Sequence, residues 1–351
     1  MDHRIDSLPL LPTTVVGSHP QPAWLIDREA LGATVPRVRR SDLWRTAPEH
    51  FDEARRDAAT LAIREMEAAG VDIVTDGEVG RESYSNHFLT AVDGVDIDRP
   101  AKLVTRAGQA TTVPRVVGPI VLARGRGADI EFDDASHLVA TTTRVPKVTL
   151  PGPFTLAQQC KDEYYGDLEA LATDFAVAIN QQARRLEATG VEVIQFDEPW
   201  YRNDPESAER FGVRVLDRAL EGLQCRTVVH LCFGYAAVVP SDKPSAYPFL
   251  AQLNDSTVDE ISIEAAQPRL DLGVLDDLSN KRIILGVIDL NDRASNTADV
   301  IAERAQAALR HIGPDRLTLG PDCGLKYLRR DEAGQLLRAM VEAAGRLRST
   351  L

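Results

Sequence analysis

Short apolar runs rich in valine, isoleucine and leucine alternate along the chain with longer stretches in which apolar residues return every third or fourth position. The first pattern predicts buried strands and the second amphipathic helices, and their alternation predicts a parallel sheet with crossover helices. Strands are expected at Thr13–Gly17, Val71–Thr75, Val145–Leu150, Val191–Phe196, Thr227–Leu231, Glu260–Ile263, Arg282–Val287 and Arg316–Leu319. Eight such strands suggest closure, so the expected fold class is α/β, a single (β/α)8 TIM barrel covering residues 1–351. The helical pattern is clearest over Glu49–Ala69 and Asp167–Thr189, where Leu168, Leu171, Phe175, Ile179 and Leu186 share one stripe. Both stretches run into a glycine, Gly70 and Gly190, as a helix C-cap does.

One phrase recurs: a helix, then glycine, valine, an acidic residue, an apolar run and a carboxylate pair. Ala69 to Glu78 and Thr189 to Glu198 both read this way, as echoed βα units at irregular intervals. Two stretches break the rhythm and are expected to be insertions near the barrel mouth. They span about residues 20–48, rich in proline and arginine, and about 90–144, where apolar and polar residues alternate around Pro114, Gly118 and Pro119 as in a β-hairpin.

Polar residues gather where the apolar runs stop, which in a barrel of this kind is the face that carries chemistry. The run ends are Gly17-Ser18-His19, Asp76-Gly77-Glu78, Asp197-Glu198-Pro199, His230-Leu231-Cys232, Glu264, Asp289-Leu290-Asn291 and Pro321-Asp322-Cys323. Alternate residues of a strand share a face, so His230 and Cys232 point the same way. Alone, that pair also fits a core histidine beside a buried cysteine. Glu264 and Cys323, from neighbouring strand ends, would complete a tetrahedral nitrogen, sulfur and oxygen set suited to zinc.

Composition narrows the partners. A net charge of −13 over 351 residues disfavours nucleic acid, which requires a basic face. No apolar run reaches the roughly 18 residues of a membrane span, and Met1 to Pro9 has no signal-peptide core. Four cysteines are few for a disulfide framework, and a reducing, cytoplasmic setting is expected. Cys160 and Cys225 are read as packing residues.

These motifs together resemble the cobalamin-independent methionine synthases, specifically their C-terminal catalytic barrel in a short, core form. The resemblance is carried by Thr14 to Ser18, by Gly77-Glu78 with Arg81, by Asp197-Glu198-Pro199, and by His230-x-Cys232, Ile261 to Glu264 and Pro321 to Lys326. It implies zinc held by His230, Cys232, Glu264 and Cys323, with homocysteine as the thiol that the metal activates. It also implies that Val16, Gly17 and Ser18 receive the substrate carboxylate while Glu78 and Asp197 bind its ammonium.

The departures concern the methyl donor. Folate-using members place a tryptophan after the Gly-Pro-x-Thr run, and here Gly152 to Thr155 leads to Gln159. Their proton-donating histidine is Asn291 in this chain, whose amide is no acid near neutral pH. The glutamate that follows Asp-Glu-Pro is Asn203, and an Arg-Cys pair is, on a loose match, Gln109-Ala110. A donor whose leaving group needs no proton fits better, such as methylcobalamin or a methyl-corrinoid protein, with Arg37 to Arg45 a possible docking surface. An epoxide and coenzyme M form a second donor and thiol pair; its product alkoxide would draw a proton from elsewhere, with Ser18, His19, Tyr201 and Tyr235 candidates by type. A uroporphyrinogen-decarboxylase-like lyase, which needs no such ligand set, and a closed structural zinc site are the readings from other classes.

Overall fold

In the computed structural model, residues 3–32, 35–104, 110–123, 126–234, 243–247 and 249–351 are described, apart from the side chains of residues 104, 110 and 126–130. Among the described residues ten strands are formed: β1 Ile73–Val74, β2 Val92–Val104, β3 Ala110–Leu122, β4 Val145–Pro151, β5 Lys161–Asp162, β6 Val193–Asp197, β7 Arg226–Leu231, β8 Glu260–Ile263, β9 Arg282–Ile288 and β10 Leu317–Pro321. Seven build one curled sheet in the order β1-β4-β6-β7-β8-β9-β10, every neighbouring pair parallel. They match seven of the expected strands to within two residues at most ends.

The segment expected as the first strand forms no ladder. Thr13 makes one parallel bridge to Leu319 of β10 and Thr14 makes one to Ile73 of β1. Side chains take the backbone groups a longer ladder would use: Asp72 accepts from the Thr13 N–H, Lys147 donates to the Val15 carbonyl, and Thr75 Oγ1 donates to the Gly17 carbonyl.

Period-two alternation divides the side chains of these strands between two environments. On the outer face Val148, Leu150, Ile194, Phe196, Val229, Leu231, Ile261, Ile263, Leu285 and Leu319 join the helices in one continuous apolar core. Burial of one such side chain, fully enclosed Phe196 for example, stabilises the fold by about 1.5–3 kcal/mol. On the inner face Ile73, Val145, Val193, Val228 and Ile284 form a separate small cluster, covered by Ile5 and Leu8. Beside and beyond this cluster the inner face turns polar, with Lys147, Gln195, Glu260 and Thr318, and then Thr149, Asp197, His230 and Ser262.

The helices Phe51–Ala69 and Leu168–Glu187 lie where the pattern places them. Gly70, with φ of 88°, ends the first, and the Asp167 carboxylate caps the second by accepting from the N–H groups of Glu169 and Ala170. The stretch after residue 90 contains the expected hairpin, β2 against β3, with β5 beside β3. The helix Arg126–Thr141 then leads back to β4. No helix of the described residues is long and apolar enough to cross a membrane.

Candidate metal and substrate site

The ends of β7 and β10 bring His230, Cys232 and Cys323 together, with their donor atoms within 4.8 Å of one another and all three side chains buried. The sequence builds this because β7 ends on alternate donors and the turn after β10 returns Cys323 to the same place. His230 Nδ1 lies 2.9 Å from Ser262 Oγ, the residue opposite it in the register of β7 and β8. That contact fixes the ring, and among the described residues His230 Nε2 is left buried with no hydrogen-bond partner. A buried imidazole nitrogen without a partner is costly unless something binds it. A hydrogen bond from Cys323 holds the Cys232 thiol well below its ordinary range, and the same bond pushes Cys323 well above.

This set fits zinc in its donor chemistry, two sulfurs and one oriented imidazole nitrogen. Glu264, the fourth expected ligand, is not among the residues within 4.8 Å. Its Oε1 accepts from the Phe233 N–H at 3.0 Å and its Oε2 from Lys243 Nζ at 2.6 Å, with both side chains of the ion pair fully buried. Asp322, next to Cys323, is a structural clamp that accepts from the N–H groups of Ala265, Ala266 and Gln267, just beyond β8.

The expected amino-acid subsite lies beside this group. Asp197 is the direct neighbour of His230 in the β6–β7 register. Burial, together with the nearby charge of Glu78, pushes the Asp197 carboxyl up to about 7. Glu78 adopts a left-handed backbone conformation, φ 52°, which is uncommon outside glycine. Its Oε1 accepts from Thr149 Oγ1 at 2.9 Å, while its Oε2 is buried without a partner. A Cβ on Gly17 would lie 2.2 Å from Glu78 Oε1, so only glycine permits that approach.

Each carboxylate is linked through a neutral residue to a buried cation. Lys147 donates to Gln195 Oε1 at 3.1 Å and Gln195 donates to Asp197 at 2.8 Å. Arg81 donates to the Thr149 carbonyl at 3.0 Å, and Thr149 in turn holds Glu78. Burial pulls the Lys147 ammonium down to about 8. The sequence reading missed Ser262, Lys243, Gln195 and Thr149. Three of these are legible as polar residues in period two within otherwise apolar strands, whereas Lys243 lies in an irregular segment with no periodicity to mark it.

The remaining expectations divide. Ser18 follows Gly17 at the site, and its carbonyl accepts from the Leu325 N–H. His19 Nε2 turns to Glu65 at 3.0 Å, a carboxylate also paired with Arg330. Tyr201 is committed elsewhere: its hydroxyl donates to the Gly212 carbonyl at 2.8 Å and its ring packs on Phe154 and Phe249. Asn291 sits exposed in a turn organised by Asp289, and Tyr235 and Gln109 lie outside the described residues. Gln159 is buried and donates to the Tyr84 hydroxyl at 2.5 Å.

A curled parallel sheet with an oriented His/Cys/Cys group at its strand ends defines an α/β enzyme built around a thiol-rich centre. Residues 11–346 match the family described as cobalamin-independent synthase, catalytic domain. The chain belongs to that family and is a methyltransferase. It is 32% identical to a methionine synthase of Thermococcus kodakarensis, over 98% of this chain and 95% of the relative. It is also 32% identical to one of Saccharolobus solfataricus, over 99% and 98%. Among solved structures it resembles a B12-independent methionine synthase from Shewanella sp. W3-18-1 in complex with selenomethionine, with TM-score 0.88 and 31% identity over 97% of this chain and 98% of that one.

Proposed function

We propose that the chain methylates the sulfur of homocysteine, giving methionine, on zinc held by His230, Cys232, Cys323 and Glu264. The observation that carries this reading is His230 Nε2, buried and without a partner, aimed by Ser262 into a group with two thiols. Bound zinc would supply a Lewis acid that lowers the pKa of the substrate thiol from about 8.5 and keeps its sulfur nucleophilic. The chain's own residues bind and orient the rest. Val16, Gly17 and Ser18 receive the carboxylate; Glu78 and Asp197 receive the ammonium, whose arrival favours the ionised form of Asp197 and so releases a proton. The complex of the Shewanella relative with selenomethionine, the selenium analogue of the product, supports an amino-acid ligand of this shape.

The donor is proposed to be other than methyl-folate, with methylcobalamin or a methyl-corrinoid protein preferred. Asn291 cannot protonate a folate nitrogen, and a corrin leaving group needs no proton. Coenzyme M carries no ammonium, so the unpartnered oxygen of Glu78 favours homocysteine over the epoxide and coenzyme M pair. A decarboxylase of the uroporphyrinogen type would leave the His/Cys/Cys group without a role. We further propose that Thr13–Gly17 closes the sheet as an eighth strand into one barrel domain, supported by its bridges to both edge strands. The free cysteines fit a reducing, cytoplasmic setting.

Zinc-edge X-ray absorption on the zinc-loaded protein tests the reading. The sulfur count is expected to rise from two to three on adding homocysteine, and Cys323→Ser is expected to lower it by one. Bound zinc whose shell ignores homocysteine would overturn the acceptor, and absence of zinc binding would overturn the metal.

A further inference from the structure

Arg37 stands apart from the other arginines of its segment. Arg39 pairs with Glu82 at 3.0 Å, Arg40 with Asp42 at 2.7 Å and Arg45 with Asp27 at 3.1 Å. Among the described residues Arg37 has no carboxylate partner. Its hydrogen bonds are two long ones from a single nitrogen, to the Tyr84 hydroxyl at 3.4 Å and to Ser85 Oγ at 3.3 Å. The guanidinium is instead carried on two aromatic faces, 5.6 Å from the centre of the Tyr84 ring and 5.9 Å from that of Trp200. A cation resting on rings keeps its planar fork of N–H groups available for a bidentate anion.

Its position relates it to the site. Trp200 follows the end of β6 at Asp197 by three residues, and Tyr84 follows Glu78 by six, so both rings under Arg37 belong to segments that leave the site. Tyr84 also receives the hydrogen bond from Gln159, whose Oε1 is buried without a partner. The chain as a whole carries a net charge of −13, so an arginine without a carboxylate partner is a local exception. An anionic reactant approaching a chain of that charge is favoured where such a cation stands.

We propose that Arg37 is the recognition group for an anionic substituent, a phosphodiester or a carboxylate, carried by the methyl donor. The proposal rests on the thiol-methylation reading above and adds the residue that selects the second substrate. Tyr84 and Trp200 hold the guanidinium in place, and the substituent anchors the donor with its methyl group toward the floor of the site.

Calorimetric binding to the zinc-loaded, homocysteine-saturated protein separates the two anion sources. The probes are methylcobalamin, methylcobinamide, which lacks the phosphodiester, and 5-methyltetrahydrofolate bearing one or three glutamates. If a phosphodiester is read, Arg37→Met weakens methylcobalamin at least tenfold and leaves methylcobinamide unchanged. If carboxylates are read, the same variant weakens the triglutamate more than the monoglutamate. Arg37→Lys, which keeps the charge without the fork, is expected to fall between wild type and Arg37→Met. Zinc content and homocysteine affinity should match wild type in both variants, which also reports their folding. Equal donor binding by Arg37→Met and wild type, or no binding of any anionic probe by the wild type, overturns the proposal alone. Failure of the wild type to take up zinc or homocysteine overturns the methylation reading and this proposal with it.

Discussion

The floor of the site and its mouth are made from different parts of the chain. At the floor, Asp197, His230 and Ser262 occupy one row across β6, β7 and β8, and Cys232 and Cys323 follow directly on strand ends. At the mouth, Arg37, Tyr84, Gln159 and Trp200 come from irregular segments held by side-chain contacts. A row across a parallel sheet is fixed by the backbone ladder, so the floor tolerates little change in residue type. Contacts between loops can be rewired one at a time. The proposed thiol-binding chemistry can therefore stay constant while the proposed donor changes, because Gln159 lies outside the row that Asp197, His230 and Ser262 form.

The sharpest way to break that comparison is at the floor. Gly17→Ala places a Cβ 2.2 Å from Glu78 Oε1 and 2.9 Å from Thr149 Cγ2. The carboxylate must swing away from the proposed ammonium position, and loss of a charge-assisted hydrogen bond of about 1.5–3 kcal/mol is expected. Homocysteine affinity should fall about a hundredfold at most, with zinc content unchanged, as measured by calorimetry and metal analysis. Unaltered affinity would remove Glu78 from the ammonium subsite.

Ser262→Ala is expected to act more gently. It leaves all metal donors in place and removes only the hydroxyl that orients His230. Outer-shell changes of this kind lower metal affinity about 10–100-fold, and the lower figure is expected because Cys232 and Cys323 are untouched. Competition against a colorimetric chelator measures it. An unchanged zinc affinity would mean that packing, and not Ser262, sets the ring.

Much of the floor was legible in the sequence because the strands are regular. The His230-x-Cys232 spacing, the Asp197-Glu198-Pro199 turn and Cys323 all follow from where apolar runs stop. Seven of eight expected strands lie in the sheet, and the eighth, Thr13–Gly17, is reduced to two bridges because Asp72, Lys147 and Thr75 engage its backbone. Lys243 was not legible: it reaches Glu264 from an irregular segment, and nothing in local pattern marks a lysine as fully buried. The same holds for the commitment of Tyr201 to Gly212 and of His19 to Glu65, which depend on tertiary neighbours. At the mouth, composition showed an arginine-bearing stretch, but which arginine lacks a carboxylate is a property of three-dimensional pairing alone.

Glu198 joins the two regions and gives the smallest and most specific effect. Its carboxyl accepts from the N–H groups of Phe154 at 3.0 Å and Thr155 at 2.8 Å, anchoring the start of the short helix Pro153–Gln158 that leads to Gln159 at the mouth. Burial nevertheless raises it to about 8, against an unfolded value of about 4.3. The native state therefore holds a proton that the unfolded chain has released between those two values. Its contribution to stability is complete below about pH 4 and is lost as pH rises toward 8, with a slope of at most about 1.4 kcal/mol per pH unit. Glu198→Gln keeps the shape and removes this titration together with its coupling to the neighbouring Asp197, whose charge is one of the causes that raise Glu198. Urea unfolding of chelator-treated protein at several values between about pH 5 and pH 8 should show a steeper loss of stability for wild type than for the variant. Parallel curves would mean that Glu198 is already ionised at neutral pH, which would make the turn below the mouth a charged anchor and tie it electrostatically to the cations of the floor.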